Sequence, residues 1–165
     1  MDLARFLRHW WTGLGGAGRA FTADVRATIE REITAAEAQH AGEIRFAIEA
    51  ALHLPLLWHG ISPRQRALAA FSSLGVWDTS ANNGVLIYVL LADRAVEVVA
   101  DRGIAARVSE AEWSSLCREI ETHFRRADFD AGSQFAVRGV ARLLALHFPP
   151  AGPHRNELPN QAILL

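Results

Sequence analysis

Residues 85–91 read Val-Leu-Ile-Tyr-Val-Leu-Leu, the least polar run in the chain. A short apolar run bounded by turn residues matches a strand buried on both faces, at the centre of a sheet that helices cover from either side. Asn82-Asn83-Gly84 leads into it. Ala92-Asp93-Arg94 leaves room only for a tight reversal, so Ala95–Ala100 (AVEVVA) is expected to return antiparallel as a hairpin partner.

The segments on either side supply what that strand needs. Thr22 caps a helix reaching about His40, with Ile29, Ile33 and Ala36 at helical spacing. Glu43–Ala50 alternates, placing Ile44, Phe46 and Ile48 on one side and Arg45, Ala47 and Glu49 on the other, which is the period of a strand. Residues 51–61 read as a loop holding His53, Trp58, His59 and Gly60. Ser62–Pro63 then starts a helix to about Leu74, stopped by Gly75. After Asp101-Arg102-Gly103 comes a short helical turn. Ser109 and Glu112 have capping-box spacing for a helix to about Arg125. Asp128 or Asp130 opens a last helix, expected to turn Phe135, Gly139, Leu143 and Leu146 inward, and Pro149–Pro150 ends it.

Connection lengths set the topology. A strand, a helical crossover and a second strand make a βαβ unit with parallel strands, to which the hairpin strand is added antiparallel. The expected architecture is a three-layer α/β/α sandwich around a small mixed sheet. Residues 1–20 form an amphipathic segment with a glycine-rich hinge at 13–18, residues 21–149 the domain, and residues 150–165 an extended tail that lies against it.

With 165 residues, half of them apolar, the chain fits one domain with a sizeable core. A net charge of −1 argues against broad electrostatic binding of nucleic acid. The lone cysteine, Cys117, sits among the apolar positions of a helix and reads as a small buried hydrophobe. The apolar stretch near the start is too short for a secretory core and no window reaches the length of a transmembrane helix, so the chain is expected in the cytoplasm. Leu3, Phe6, Leu7, Trp10 and Trp11 recur at helical spacing beside Arg5 and Arg8, which suits either packing on the domain or a peripheral contact with the inner membrane.

The topology sorts the loops onto two rims. The parallel strands begin on one rim and the antiparallel strand ends there, which gathers Asp78, Asn82, Asn83, Asp101 and Arg102, with Glu110 nearby. Carboxylate and amide oxygens are hard donors suited to Ca²⁺ or Mg²⁺, with Arg102 contacting an anion; the same residues equally suit a plain turn at Asn82-Asn83-Gly84 and a local Asp101–Arg102 pair. The opposite rim carries His53, His59 and Asp93-Arg94, outside the carboxyl ends of the parallel strands, where α/β sheets form crevices. No phosphate-loop lysine follows Gly13–Gly18 and no Gly-x-Ser-x-Gly elbow occurs.

Residues 71–104 (FSSLGVWDTSANNGVLIYVLLADRAVEVVADRGI), the following helix, the turn at Arg125-Arg126-Ala127-Asp128-Phe129 and the last helix resemble the TPM domain family, in its short bacterial branch without signal peptide or anchor. The resemblance covers roughly residues 25–148, and Asn156-Glu157-Leu158-Pro159 is also similar to that branch. It implies an α/β/α sandwich, a divalent-cation site (calcium in some relatives) and, in some members, phosphatase activity. It further implies a partner resembling the LemA-type membrane proteins. Carried over to this chain, Asn82 stands where secreted members have an aspartate, Val99 and Ala105 where they have acidic residues, and Glu110 near another aspartate. Two functions follow. The first is an accessory or interaction module of a membrane-associated assembly, motivated by the aromatic start, the apolar tail and the depleted acidic set. The second is a metal-assisted phosphatase, in which a cation near Asp78, Asp101 and Glu110 polarises a phosphoryl oxygen while Arg102 neutralises charge. A small-ligand sensor on the His53–His59 rim is a third reading.

Overall fold

The computed structural model describes residues 2–150 and 156–165. In chain order its elements are α1 (Leu3–Gly15), α2 (Ala23–Glu37), β1 (Glu43–Glu49), α3 (Leu54–Trp58), α4 (Pro63–Ser73), β2 (Gly84–Leu90), β3 (Ala95–Ala100), α5 (Arg102–Ala105), α6 (Glu110–Arg125), α7 (Phe129–His147) and β4 (Ile163–Leu164), with one 3-10 turn at Ala17–Arg19. The sheet runs β3-β2-β1-β4. β1 and β2 are parallel from Glu43 opposite Gly84 to Glu49 opposite Leu90. β3 is antiparallel to β2, with Ala100 opposite Val85.

Every residue of β1 and β2 is buried. On one face Ile44, Phe46, Ile48, Val85, Ile87 and Val89 meet Ile29 and Ile33 of α2, Trp113 and Ile120 of α6 and Val137 and Val140 of α7. Each fully buried isoleucine or valine there contributes roughly 2 kcal/mol of transfer free energy. On the other face Ala47, Leu86, Tyr88 and Leu90 meet Ala67 and Ala70 of α4, Leu57 of α3 and Leu158 of the tail. This is the expected three-layer sandwich. β1 buries its polar side because its charges are matched: Tyr88 Oη donates to Glu49 Oε2 at 2.6 Å and Arg66 Nε donates to the same oxygen at 2.8 Å. Burial first, and then the Glu49 carboxylate, raise the Tyr88 pKa and keep its proton in place.

The capping signals are realised. Ser62 with Gln65 and Ser109 with Glu112 form complete capping boxes, Thr22 caps α2, and Gly75 follows α4 with φ of 66°. Other expectations are corrected. The glycines at 13–18 are no hinge, because α1 runs through Gly13 to Gly15 and Ala17 is buried. The 51–61 loop contains α3. Leu146 is 72% exposed; it lies about 200° around the helix from buried Leu144 at 100° per residue, so it cannot share that face. The end of the chain does more than lie on the surface: Ile163 and Leu164 pair in parallel with Ala47 and Ile48 as the fourth strand. Residues 151–155 of the expected tail lie outside the described residues.

Candidate functional site

Four of the six residues expected on the first rim do come together there. Asp101 N–H donates to Gly84 O at 2.9 Å and Gly103 N–H to Asn82 O at 3.2 Å, so the loop entering β2 and the loop leaving β3 are neighbours. Arg102 Nε donates to Asn82 Oδ1 at 2.9 Å. Asp101 caps α5, its Oδ1 accepting Arg102 N–H at 2.7 Å. Asn83 Nδ2 donates to Ala41 O, and Asn83 O accepts Glu43 N–H at 3.1 Å. Gly84 is required here: a Cβ on it would lie 2.0 Å from Val76 O.

The other two residues do not join. Asp78 is exposed in the turn after α4. Glu110 lines a separate cavity with Arg64, Glu97, Cys117 and Glu121. Burial first pushes the Cys117 thiol up to about 12, leaving it unreactive. Asn83 Oδ1 and Asp101 Oδ2 are buried without a hydrogen-bond partner among the described residues. Two oxygens fall well short of the roughly six to eight that calcium takes. Asp101 spends its other oxygen on the α5 cap and Asn82 spends its own on the Arg102 guanidinium. Among the described residues no group of three or more His, Cys, Asp or Glu could hold a metal ion. The residues present therefore do not fit the cation site that the resemblance implies.

What the rim holds instead is the chain's own end. Glu43, fully buried at the start of β1, accepts the N–H groups of Glu157 at 3.1 Å and Leu158 at 3.2 Å. Arg45 donates to Pro159 O and, at 2.9 Å, to Gln161 O. Glu157 accepts from Ser80 N and Oγ. Glu37 accepts Ile44 N–H at 3.3 Å and Asn160 Nδ2 at 2.9 Å. Burial pushes the Glu37 carboxyl up to about 7, the charge of Glu43 adding to it against those hydrogen bonds. Sequence reasoning missed Glu37 and the role of Glu43. The available signal was a pair of polar residues, Glu43 and Arg45, within a strand that needs neighbours on both sides.

On the opposite rim His53 and His59 are exposed and share no metal-binding group. His59 Nδ1 is 2.7 Å from Pro55 O within its own helix. The organised polar centre on this rim is Asp93, which fastens α1. Arg5 donates to both its oxygens, from Nε at 3.1 Å and from Nη2 at 2.7 Å, and His9 Nε2 lies 3.1 Å from Oδ1. Burial raises the Asp93 pKa, but the hydrogen bonds from Arg5 and His9 outweigh it and hold the carboxyl below its usual range. With this face pinned, α1 leaves Leu3, Leu7, Trp10, Trp11 and Leu14 exposed, Trp11 by 71%. Phe6 departs from the expected stripe and packs inward against the second core cluster. Leu54 and Trp58 of α3 are also exposed, and cavities lined by both helices border them. Among the described residues no helix is long and apolar enough to cross a membrane.

Residues 17–143 match the family model of the TPM domain. The chain is similar in structure to the BA42 protein of the psychrophilic bacterium Bizionia argentinensis, with 30% identity and a TM-score of 0.76 over 87% of this chain and 94% of that one. It also shares the fold of the N-terminal domain of a protein from P. gingivalis, at 19% identity and a TM-score of 0.62 over 81% of this chain and 82% of that one. No curated protein matches the sequence.

Proposed function

The chain belongs to the TPM domain family, and from that premise we propose that it is an accessory module that docks on a membrane surface through α1, as part of a membrane-associated assembly. One observation carries this reading: the exposed stripe of Leu3, Leu7, Trp10, Trp11 and Leu14 on a helix whose other face is locked to Asp93. Monomeric proteins rarely leave a contiguous patch of this kind uncovered. Tryptophan beside arginine suits the headgroup boundary; α1 offers the half-exposed Arg8 there and has no acidic residue after its Asp2 cap. Leu54 and Trp58 widen the apolar surface.

The test is flotation of the full chain with vesicles of mixed phosphatidylglycerol and phosphatidylcholine. The chain is expected to float with them, and Trp10→Ser with Trp11→Ser to lower binding at least about tenfold, since each buried indole contributes on the order of 1 kcal/mol or more. A chain that stays at the bottom of the gradient, or a double variant that floats equally well, would remove the reading.

Divalent-metal-dependent phosphatase activity is the second reading; Asn83 Oδ1 and Asp101 Oδ2, without a hydrogen-bond partner among the described residues, favour it, although these two oxygens alone do not make a cation site. Hydrolysis of p-nitrophenyl phosphate that is lost in Asp101→Asn, a change that keeps the α5 cap, would favour it over a purely docking role.

A further inference from the structure

A cavity of about 280 Å³ opens on the rim outside the carboxyl end of β2, between the C-terminal turn of α1 and the aromatic residues at the α6–α7 junction. Its walls are mainly apolar, with Val89, Leu91, Phe124 and Phe129 prominent, and two arginines, Arg19 and Arg94, complete the lining. Among the described residues no acidic side chain lines it. Both arginines are exposed, and neither has an ion pair or side-chain hydrogen bond among the described residues. This separates them from Arg5, Arg45, Arg66 and Arg138, each of which is bonded to a carboxylate or a carbonyl.

The aromatic wall is fixed. Phe124 and Phe129 stack with ring centroids 5.5 Å apart, and each also meets buried Phe21, at 5.7 and 5.3 Å. On the other side Gly15 and Gly16 line the cavity, so no side chain from these two positions fills it. Arg94 is held at φ of 53° in the hairpin reversal, a conformation uncommon for a residue with a Cβ and one that recurs at ligand sites. An apolar slot lined by two guanidinium groups without an ion pair among the described residues recognises one kind of molecule: an anion on an apolar body.

We infer that this cavity binds a small amphipathic anion, a carboxylate or phosphate monoester on a short acyl chain or ring, with the anionic group between Arg19 and Arg94 and the apolar part against Phe124 and Phe129. The site is separate from the exposed stripe of α1 and does not rest on membrane docking. The same chemistry has two sources, a soluble metabolite or a lipid headgroup with its chain.

The experiment titrates the full chain with decanoate and with dodecyl phosphate, both below their micellar ranges, followed by amide NMR. Saturable shifts are expected at Gly15, Gly16, Ala20 and Leu91. Decanol, which lacks the charge, should bind at least about tenfold more weakly, as the loss of a charge-assisted hydrogen bond implies. Arg19→Gln with Arg94→Asn should bring decanoate down to the decanol level. Both residues are exposed and asparagine tolerates the left-handed backbone at position 94, so the fold is retained. Vesicles containing phosphatidylglycerol distinguish the sources. If the double variant loses vesicle binding about tenfold, the ligand is a lipid. If it binds vesicles normally but loses decanoate, the ligand is soluble. Absence of saturable shifts with either amphiphile, decanol binding as tightly as decanoate, or a double variant with unchanged affinity would overturn the assignment. Loss of vesicle binding in the Trp10 and Trp11 variant alone would leave it intact.

Discussion

His9 and Asp93 meet across the gap between α1 and the β2–β3 reversal, with Nε2 3.1 Å from Oδ1, while Leu52 N–H donates to His9 Nδ1 at 2.9 Å. Because Nδ1 accepts, the ring proton belongs on Nε2, the nitrogen nearer the carboxylate. The pair joins three segments far apart in sequence and sets the pose of α1.

Removing the carboxylate should release α1. Asp93→Ala leaves Arg5 and His9 without their partner, and breaking a largely buried pair of this kind costs roughly 3–5 kcal/mol, less where solvent reaches Arg8. Hydrogen exchange should show loss of protection at Leu52 and through α1 while β1 and β2 stay protected. The Asp93 pKa is depressed, so its contribution is complete above the ordinary carboxylate pKa and is lost as pH falls through the lower folded value.

Glu37 runs in the opposite sense. Its folded pKa of about 7 lies above the reference value of 4.5. Between those values the folded chain binds the extra proton, so stability should fall as pH rises from 4.5 to about 7 and then level off. After allowance for solvent screening of this half-buried group the change is on the order of 1–2 kcal/mol. Urea unfolding at pH 5 and pH 8 measures it, and Glu37→Gln should flatten the difference.

Gly84→Ala should be among the most damaging single-methyl additions. The new Cβ would meet Val76 O at 2.0 Å, a backbone atom that cannot rotate away. A loss of about 3 kcal/mol or more is expected from overpacking. At Gly139 the obstacle is the flexible Leu116 side chain, at 2.4 Å, so Gly139→Ala should cost less. Thermal unfolding of the two variants side by side decides the ranking.

Ending the chain at residue 155 should expose the β1 edge and remove the tail backbone groups bonded to Glu43 and Arg45. Leu158 leaves the core with it. A loss of several kcal/mol is expected from an unpaired buried edge, together with association of the chain. Urea unfolding and size-exclusion chromatography report the two effects, and an unchanged midpoint with a monomeric profile would contradict them.

Legibility in the sequence followed the range of the forces. The strand at 84–90, its hairpin partner and the starts of α4 and α6 were readable because neighbours in sequence determine them: a continuous apolar run, a tight reversal, a serine before proline and a serine three residues before Glu112. That Asn82 and Asp101 share a rim also followed, since parallel strands begin together and a hairpin strand returns to their start. The family was readable from the same stretch.

The remainder waited on tertiary structure. A two-residue strand such as β4 has no period to detect, and its pairing with β1 depends on Glu43 and Arg45 capturing backbone groups more than 100 residues away. Asp78 and Glu110 are plausible ligands by type, yet their directions are fixed by a turn and by the face of α6, neither of which composition encodes. That Arg19 and Arg94 have no ion pair among the described residues is likewise visible only once the folded chain has shown which carboxylates the other arginines take. Local sequence settled which segments are helix or strand, whereas the partner of each charge was settled by packing, because a buried charge is matched by whatever the fold brings within about 3 Å.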